Sequence, residues 1–165
     1  MEVFLVRHAI AHERNSKRWP DDAQRPLSAA GVARFRKAAR GLRRLLPASA
    51  VLLTSPYTRA RDTAAILARV AKRKKAFECA ELAASEPARR AFDLLRSRRE
   101  KAVVLVGHEP YLSHFLGEAL GGNNARLAIE FKKGGAACVE FDGPPKAGRA
   151  TFKWLLPPRV LRAVR

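Results

Sequence analysis

The sequence predicts an α/β protein: a single-domain three-layer α/β/α sandwich, with a mostly parallel central sheet and an antiparallel strand at one edge. Three observations lead there. Short apolar runs alternate with amphipathic stretches along the chain, the pattern of repeated strand–helix units. The run AVVLV at 102–106 is β-branched and uninterrupted, which suits a strand buried on both faces near the middle of a sheet. A chain of 165 residues, 47% of them hydrophobic, fills one core and is too short for two ordinary ones, so 1–165 is read as one domain.

The elements follow in order. Residues 3–6 form the first strand, and 9–25 are polar, charged and without periodicity, so they read as a long loop in which Asp21 and Asp22 serve solvation and His12 faces water. Ser28 caps a helix whose apolar positions Val32, Phe35, Ala39, Leu42 and Leu46 recur at helical spacing, and Pro47 ends it. The second strand, 51–54, leads through Ser55-Pro56 into a helix carrying Ile66, Leu67 and Val70, with Thr63 packed inside it. The basic run at 72–75 is a solvated turn, and a third helix covers 86–98. After the strand at 102–106, Gly107-His108-Glu109-Pro110 turns into a helix with Tyr111, Leu112, Phe115 and Leu116 on one face; Pro110 suits its first turn. Residues 136–141 and 150–155 form a hairpin at one sheet edge, and Pro157-Pro158 opens a short basic helix.

Composition narrows the function classes. Cys79 and Cys138 stand far apart with no C-x-x-C spacing, so neither a disulfide framework nor a zinc site is expected. No apolar run approaches the roughly 20 residues that span a bilayer. The N-terminal apolar run is too short for a signal peptide, with Glu2 where a basic region belongs. A cytoplasmic protein with no membrane partner is the expectation. Thirty-three Lys and Arg against 15 Asp and Glu give a net charge of +18, which points to an acidic or polyanionic partner. The cations are spread along the whole chain, however, and aromatics for base stacking are few at 7%.

Three strands end alike. The first runs into Arg7-His8, the second into Ser55-Pro56 with Arg59 just inside the next helix, and the third into Gly107-His108. In an open parallel sheet, ligands bind at the carboxyl ends of the strands, where helix N-termini also favour anions. Two imidazoles and two guanidiniums meeting there make a phosphate site built from distant segments. Each piece alone is weak, since a lone His after a strand is commonly a hydrogen-bonded turn residue. The concurrence at three strand ends carries the inference.

These segments carry a resemblance. VRHA at 6–9 resembles the R-H-G signature of the histidine phosphatase superfamily, SPYTRARDT at 55–63 its S-P-x-x-R-A-x-x-T segment, and VGHEP at 106–110 its second-histidine segment. RPLSAAG at 25–31 and KKGGAACVEF at 132–141 resemble the small phosphohistidine-phosphatase (SixA-type) branch. The resemblance implies a phosphoglycerate-mutase-like fold and makes His8 the nucleophile that is transiently phosphorylated. It places Arg7, Arg59 and His108 around the phosphoryl group, with Arg25 as a further contact, and calls for no metal and no cofactor. Ser55 is read either as a phosphate contact or as a cap of the following helix. Such an assembly suits the chemistry, because phosphoryl transfer relies on positioning and on neutralising the equatorial oxygens. The nucleophilic imidazole needs its other nitrogen bonded to a fixed acceptor, expected to be a backbone carbonyl in the 9–12 turn.

Two departures from the pattern matter. Ala9 replaces the glycine of R-H-G, which requires backbone there to avoid positive φ. The general acid that ester-cleaving members supply has no convincing motif: Glu81 and Glu86 are the candidates, with Glu109 a third. An alkoxide leaving group needs that proton, whereas the P–N bond of phosphohistidine breaks readily once its imidazole is protonated. The sequence therefore favours a phosphohistidine phosphatase acting at a shallow, open site on a phosphorelay-type protein. The alternatives are a broad small-molecule phosphomonoesterase of the same superfamily, acting on a small phosphorylated compound, and a non-catalytic polyanion-binding protein.

Overall fold

A six-stranded sheet in the order β3-β2-β4-β1-β5-β6 divides the protein into layers. The computed structural model describes residues 1–73 and 75–164; Lys74, inside the basic run predicted as a turn at 72–75, lies outside the described residues. The strands are β1 (Glu2–Arg7), β2 (Val51–Thr54), β3 (Ala76–Glu78), β4 (Ala102–Gly107), β5 (Ala136–Phe141) and β6 (Ala150–Leu156). The first four run parallel, and β5 lies antiparallel to both β1 and β6. The predicted hairpin therefore closes one edge, and β4 sits in the middle with every residue buried.

Strand alternation assigns the layers. Phe4, Val6, Leu52, Val104 and Val106 point to one face, which packs against helices α1 (Ala29–Leu45), α2 (Thr58–Val70) and α5 (Pro158–Leu161) through Phe35, Leu42, Leu67 and Leu161. Val3, Leu5, Leu53, Val103 and Leu105 point to the other, against α3 (Arg90–Arg96) and α4 (Tyr111–Gly121), where Phe92, Leu95, Phe115 and Leu116 sit. The period of two in the strands meets the helical period on both sides. Ser28 caps α1 as expected, its Oγ accepting from the Gly31 N–H at 3.1 Å. Cys79 and Cys138 are free thiols, and no described helix is long and apolar enough to cross a membrane.

The fold departs from the sequence reading in three places. The third helix spans Arg90–Arg96 rather than 86–98, because Pro87 has no N–H and its neighbours close i→i+3 turns first, Arg90 N onto Pro87 O and Ala91 N onto Ala88 O. The loop at 9–25 contains a 3₁₀ turn over Asp22–Gln24, capped by the Asp21 carboxylate. Strand β3 has three residues, none of them buried, too short and too exposed to stand out as an alternating run.

Gly41 lets α1 approach α5. A Cβ there would overlap the Leu161 carbonyl oxygen, a backbone atom that cannot turn aside. Gly41→Ala should thus lower stability by about 1–3 kcal/mol through overpacking, although alanine favours a helix interior by up to about 1 kcal/mol. Thermal melts check this against Gly143→Ala, where a Cβ meets nothing within 4 Å and the midpoint should barely move.

Candidate active site

Parallel register builds the site. Arg7 pairs with Gly107 and Thr54 with Val106, and two bonds extend the ladders by one residue: His8 N to Gly107 O and Ser55 N to Val106 O, both 2.9 Å. The residues following β1, β4 and β2 therefore stand abreast. His8 and His108 have ring centroids 5.2 Å apart, and Ser55 Oγ lies 2.8 Å from His108 Nε2. Tyr57 packs against His108, their ring centroids 4.9 Å apart and their planes tilted by 56°. Arg59 enters from the first turn of α2 and lies over the Tyr57 ring at 5.0 Å. The structure thus brings together Arg7, His8, Ser55, Arg59 and His108.

His8 is held in a definite tautomer. Its Nδ1 lies 2.7 Å from the Ala9 carbonyl oxygen, which only accepts, so the ring proton sits on Nδ1 and Nε2 keeps its lone pair. The acceptor is in the 9–12 turn, where it was expected. Ala9 is buried and avoids positive φ, which among described non-glycine residues occurs at Lys72 and Asn124. Its N–H bonds to Thr63 Oγ1 at 3.0 Å, and that hydroxyl donates to the Arg59 carbonyl at 2.7 Å. Thr63 was expected simply to pack inside its helix; it also fastens Ala9, the residue after His8, to the turn that carries Arg59.

Burial sets the charge states. His8 exposes 6% of its surface and His108 2%, a deeper site than a chain without a large insertion suggested. Desolvation pushes His8 down to about 3, partly opposed by the Ala9 bond and reinforced by Arg59, Arg7 and Lys133. It pushes His108 down to about 2, with His8 and Arg59 adding to the effect. Both rings are neutral at physiological pH. Arg7 Nε, Arg59 Nε and His108 Nδ1 are buried without a partner in the protein. Ser55 Oγ, which accepts from the Tyr57 N–H at 3.3 Å, bonds His108 Nε2, and His108 Nδ1 stands unpartnered beside the two guanidinium groups.

Asp22 overturns its reading as loop solvation. Its Oδ1 takes Arg25 Nε at 2.8 Å and Arg14 Nε at 3.4 Å, its Oδ2 takes Arg59 Nη2 at 3.1 Å, and its backbone oxygen takes Arg59 Nη1 at 2.7 Å. The Arg25 bond, together with Arg59 and Arg14, holds the carboxyl at about 2. Arg25 is further tied to the His12 carbonyl at 2.7 Å, so it joins the site through Asp22. No motif marks Asp22, which stands among three acids and four cations in the 9–25 loop. Arg7 is anchored differently, its Nη1 donating to Phe131 O at 2.6 Å.

Among the described residues, none of the three candidate acids is hydrogen-bonded to the imidazoles or guanidiniums of the site, although the charge of Glu109, next to His108 in the chain, acts on Arg7. Glu81 is in the 3₁₀ turn Ala80–Leu82, where its carbonyl accepts from Tyr111 Oη at 2.8 Å. Glu86 pairs with Arg90 at 3.7 Å. Glu109 accepts from the Ser113 N–H at 3.2 Å, tying it to the first turn of α4. Among the described residues, no carboxylate is hydrogen-bonded to either imidazole, and no three His, Cys, Asp or Glu side chains gather where a metal could sit.

A sheet whose strand ends present paired neutral imidazoles among guanidiniums defines a phosphoryl-handling protein. Comparison with known proteins identifies which kind. The model of the histidine phosphatase superfamily (branch 1) matches residues 3–83. An uncharacterized protein of Picosynechococcus sp. is 32% identical over 169 residues, spanning 95% of this chain and all of that one. Among solved structures, the protein histidine phosphatase SixA complexed with tungstate superposes with TM-score 0.78 at 23% identity, covering 98% of this chain and 99% of that one. The putative phosphohistidine phosphatase SixA from Agrobacterium tumefaciens gives 0.73 at 26% identity, covering 95% and 97%. The chain belongs to the histidine phosphatase superfamily and has the phosphoglycerate-mutase-like fold.

The buried imidazoles make stability acid-sensitive. Unfolded histidines take up protons near pH ~6.5, while His8 and His108 resist protonation in the fold down to about 3 and about 2. The unfolded chain binds more protons over that window, so stability falls as pH drops from about 6.5 toward 3, by at most about 1.4 kcal/mol per pH unit for each histidine. Asp22 adds a further loss as pH falls from its unfolded value of about 3.9 toward about 2. Melts across the window should show a shallower acid slope for His108→Gln than for wild type. Equal slopes would mean that His108 titrates normally in the fold.

Proposed function

We propose that the protein is a phosphohistidine phosphatase that removes phosphate from a phosphorylated protein of the phosphorelay type, through a phospho-His8 intermediate and without a metal. The observation that carries the reading is the neutral His8, with Nδ1 bonded to the Ala9 carbonyl and Nε2 free, next to buried nitrogens of Arg7, Arg59 and His108 that have no partner in the protein. Nε2 attacks the phosphorus, and those donors bond to the equatorial oxygens as the P–N bond breaks. The substrate imidazole, already protonated on its other nitrogen by solvent, leaves as a neutral ring. Water then attacks the phosphoryl group on His8, releasing inorganic phosphate and restoring the neutral ring. Tungstate, bound in the structure of one similar protein, is a tetrahedral oxyanion of the same kind.

Acid placement supports the choice of substrate. Asp22, the carboxyl whose charge reaches His108, is bonded to Arg25 and Arg59 and held ionised, so it has no proton to give at neutral pH. A leaving imidazole needs far less help than an alkoxide.

Two measurements test this reading. Phosphate release in EDTA from a histidine-phosphorylated protein should greatly exceed release from p-nitrophenyl phosphate and vanish in His8→Ala. Ester cleavage as fast as P–N cleavage would instead make the protein a general phosphomonoesterase. No His8-dependent release from either substrate would leave a polyanion-binding protein as the better account. Glu81→Gln, Glu86→Gln and Glu109→Gln should each keep phosphohistidine hydrolysis within a few-fold. A loss on the order of a hundredfold or more in one of them would identify a dedicated acid and count against the phosphoramidate preference.

A further inference from the structure

Beside the nucleophile lies a groove that the proposed chemistry does not use. It has a volume of about 750 Å³ and runs from Arg7 and Ala9, the two neighbours of His8, out between α1 and the Pro157–Pro158 turn. Its floor is apolar: Ile10, Phe35, Pro157 and Pro158 line it. Gly134 keeps it open on the inner side. That residue has φ +77°, and a Cβ there would come within 3.3 Å of the Phe35 ring and 3.8 Å of Pro158, narrowing the floor between them.

The rim is cationic. Beyond Arg7 it carries Arg34, Lys132, Lys133, Arg159 and Arg162. Glu130 is the one acid among the lining residues, and it is bonded to Lys132. Arg34, Lys133, Arg159 and Arg162 are exposed and make no ion pair among the described residues. Lys133 is also one of the charges that depress His8, so the field of the groove reaches the reacting atom. A low-dielectric floor beneath same-sign charges concentrates potential and draws in groups of opposite charge.

The geometry points to a docking site for an acidic segment of the phosphorylated protein, next to its phosphohistidine, with one or two apolar side chains seated on the half-buried Ile10, Pro157 and Pro158. This rests on the reading of the protein as a phosphohistidine phosphatase. Charge complementarity selects an acidic occupant. The floor selects a peptide over nucleic acid, because its one aromatic ring, Phe35, is 2% exposed and offers no face on which a base could stack. Selectivity for the partner then comes from charge alongside the reacting phosphoryl group, where it acts on encounter and KM rather than on the chemical step.

The test uses a triple variant, Arg34→Glu, Arg159→Glu and Arg162→Glu, all on exposed positions away from the imidazoles. With a histidine-phosphorylated protein that is acidic around its phosphohistidine, kcat/KM should fall at least about tenfold, chiefly through KM. Hydrolysis of phosphoramidate, which cannot reach the groove while in the site, should stay within about twofold, and this also reports that the variant is folded. Binding of a fluorescein-labelled poly-glutamate peptide, read by anisotropy, should be lost in the variant. Equal losses on protein and phosphoramidate, or poly-glutamate binding that the variant retains, would overturn the docking site and leave the proposed activity standing. So would a single-stranded oligonucleotide that displaces poly-glutamate at lower concentration than unlabelled peptide does. Wild-type protein that hydrolyses no phosphohistidine, yet binds poly-glutamate in a groove-dependent way, would remove the proposed activity and support the groove as an acidic-segment site.

Discussion

The parallel register of β2, β4 and β1 is the constraint on which the rest of the structure depends. Because Arg7 lies opposite Gly107 and Thr54 opposite Val106, the residues that follow emerge at one level, and the next backbone bonds carry that alignment past the strand ends. A slip of one residue in any of these pairings would turn an imidazole to the opposite face of the sheet, together with every core side chain on that strand. The buried faces of β4 forbid the slip, so the same apolar packing that stabilises the domain also sets the distance between His8 and His108.

Desolvation gives that geometry its chemistry. Two buried imidazoles among guanidiniums stay neutral, taking up no second proton, and the bond from Nδ1 to the Ala9 carbonyl leaves the lone pair on Nε2. Positive charge here needs an internal counterweight. Asp22 provides it by binding Arg25, Arg59 and Arg14 at once. The 3₁₀ turn that carries Asp22 thereby becomes a wall of the site, and Arg59 is oriented by an acid that stays ionised while remaining clear of the imidazoles. Thr63 extends the same bracing to the backbone beside the nucleophile.

The groove and the catalytic centre share Arg7 and Ala9, so they form one continuous surface with two tasks. Neutral, buried rings lie at one end, where the proposed reaction places the phosphoryl group, and exposed cations over an apolar floor extend from it. The net charge of +18 is therefore not uniform in effect. Some of the arginines are buried beside the imidazoles, as Arg59 is at 5% exposure, while others along α1 and α5 remain in solvent.

What the sequence determined by itself was whatever local pattern encodes. Alternation and helical spacing specified the three layers, the hairpin and the buried central strand, since burial periodicity is a property of neighbouring residues. Strand-end motifs specified Arg7, His8, Ser55, Arg59 and His108, because a residue just past an apolar run must stand at a strand's end. Tertiary structure alone decided what depends on groups distant in sequence. Asp22 became a clasp because α2 brings Arg59 to it across 37 positions, and Thr63 became a brace because its hydroxyl meets Ala9 across 54. Strand β3 exists only because β2 offers it an open edge. The groove likewise joins residues 7–10, the first two turns of α1, the 130–134 segment and the 157–162 segment, and a surface made by four separate stretches leaves no mark in any one of them.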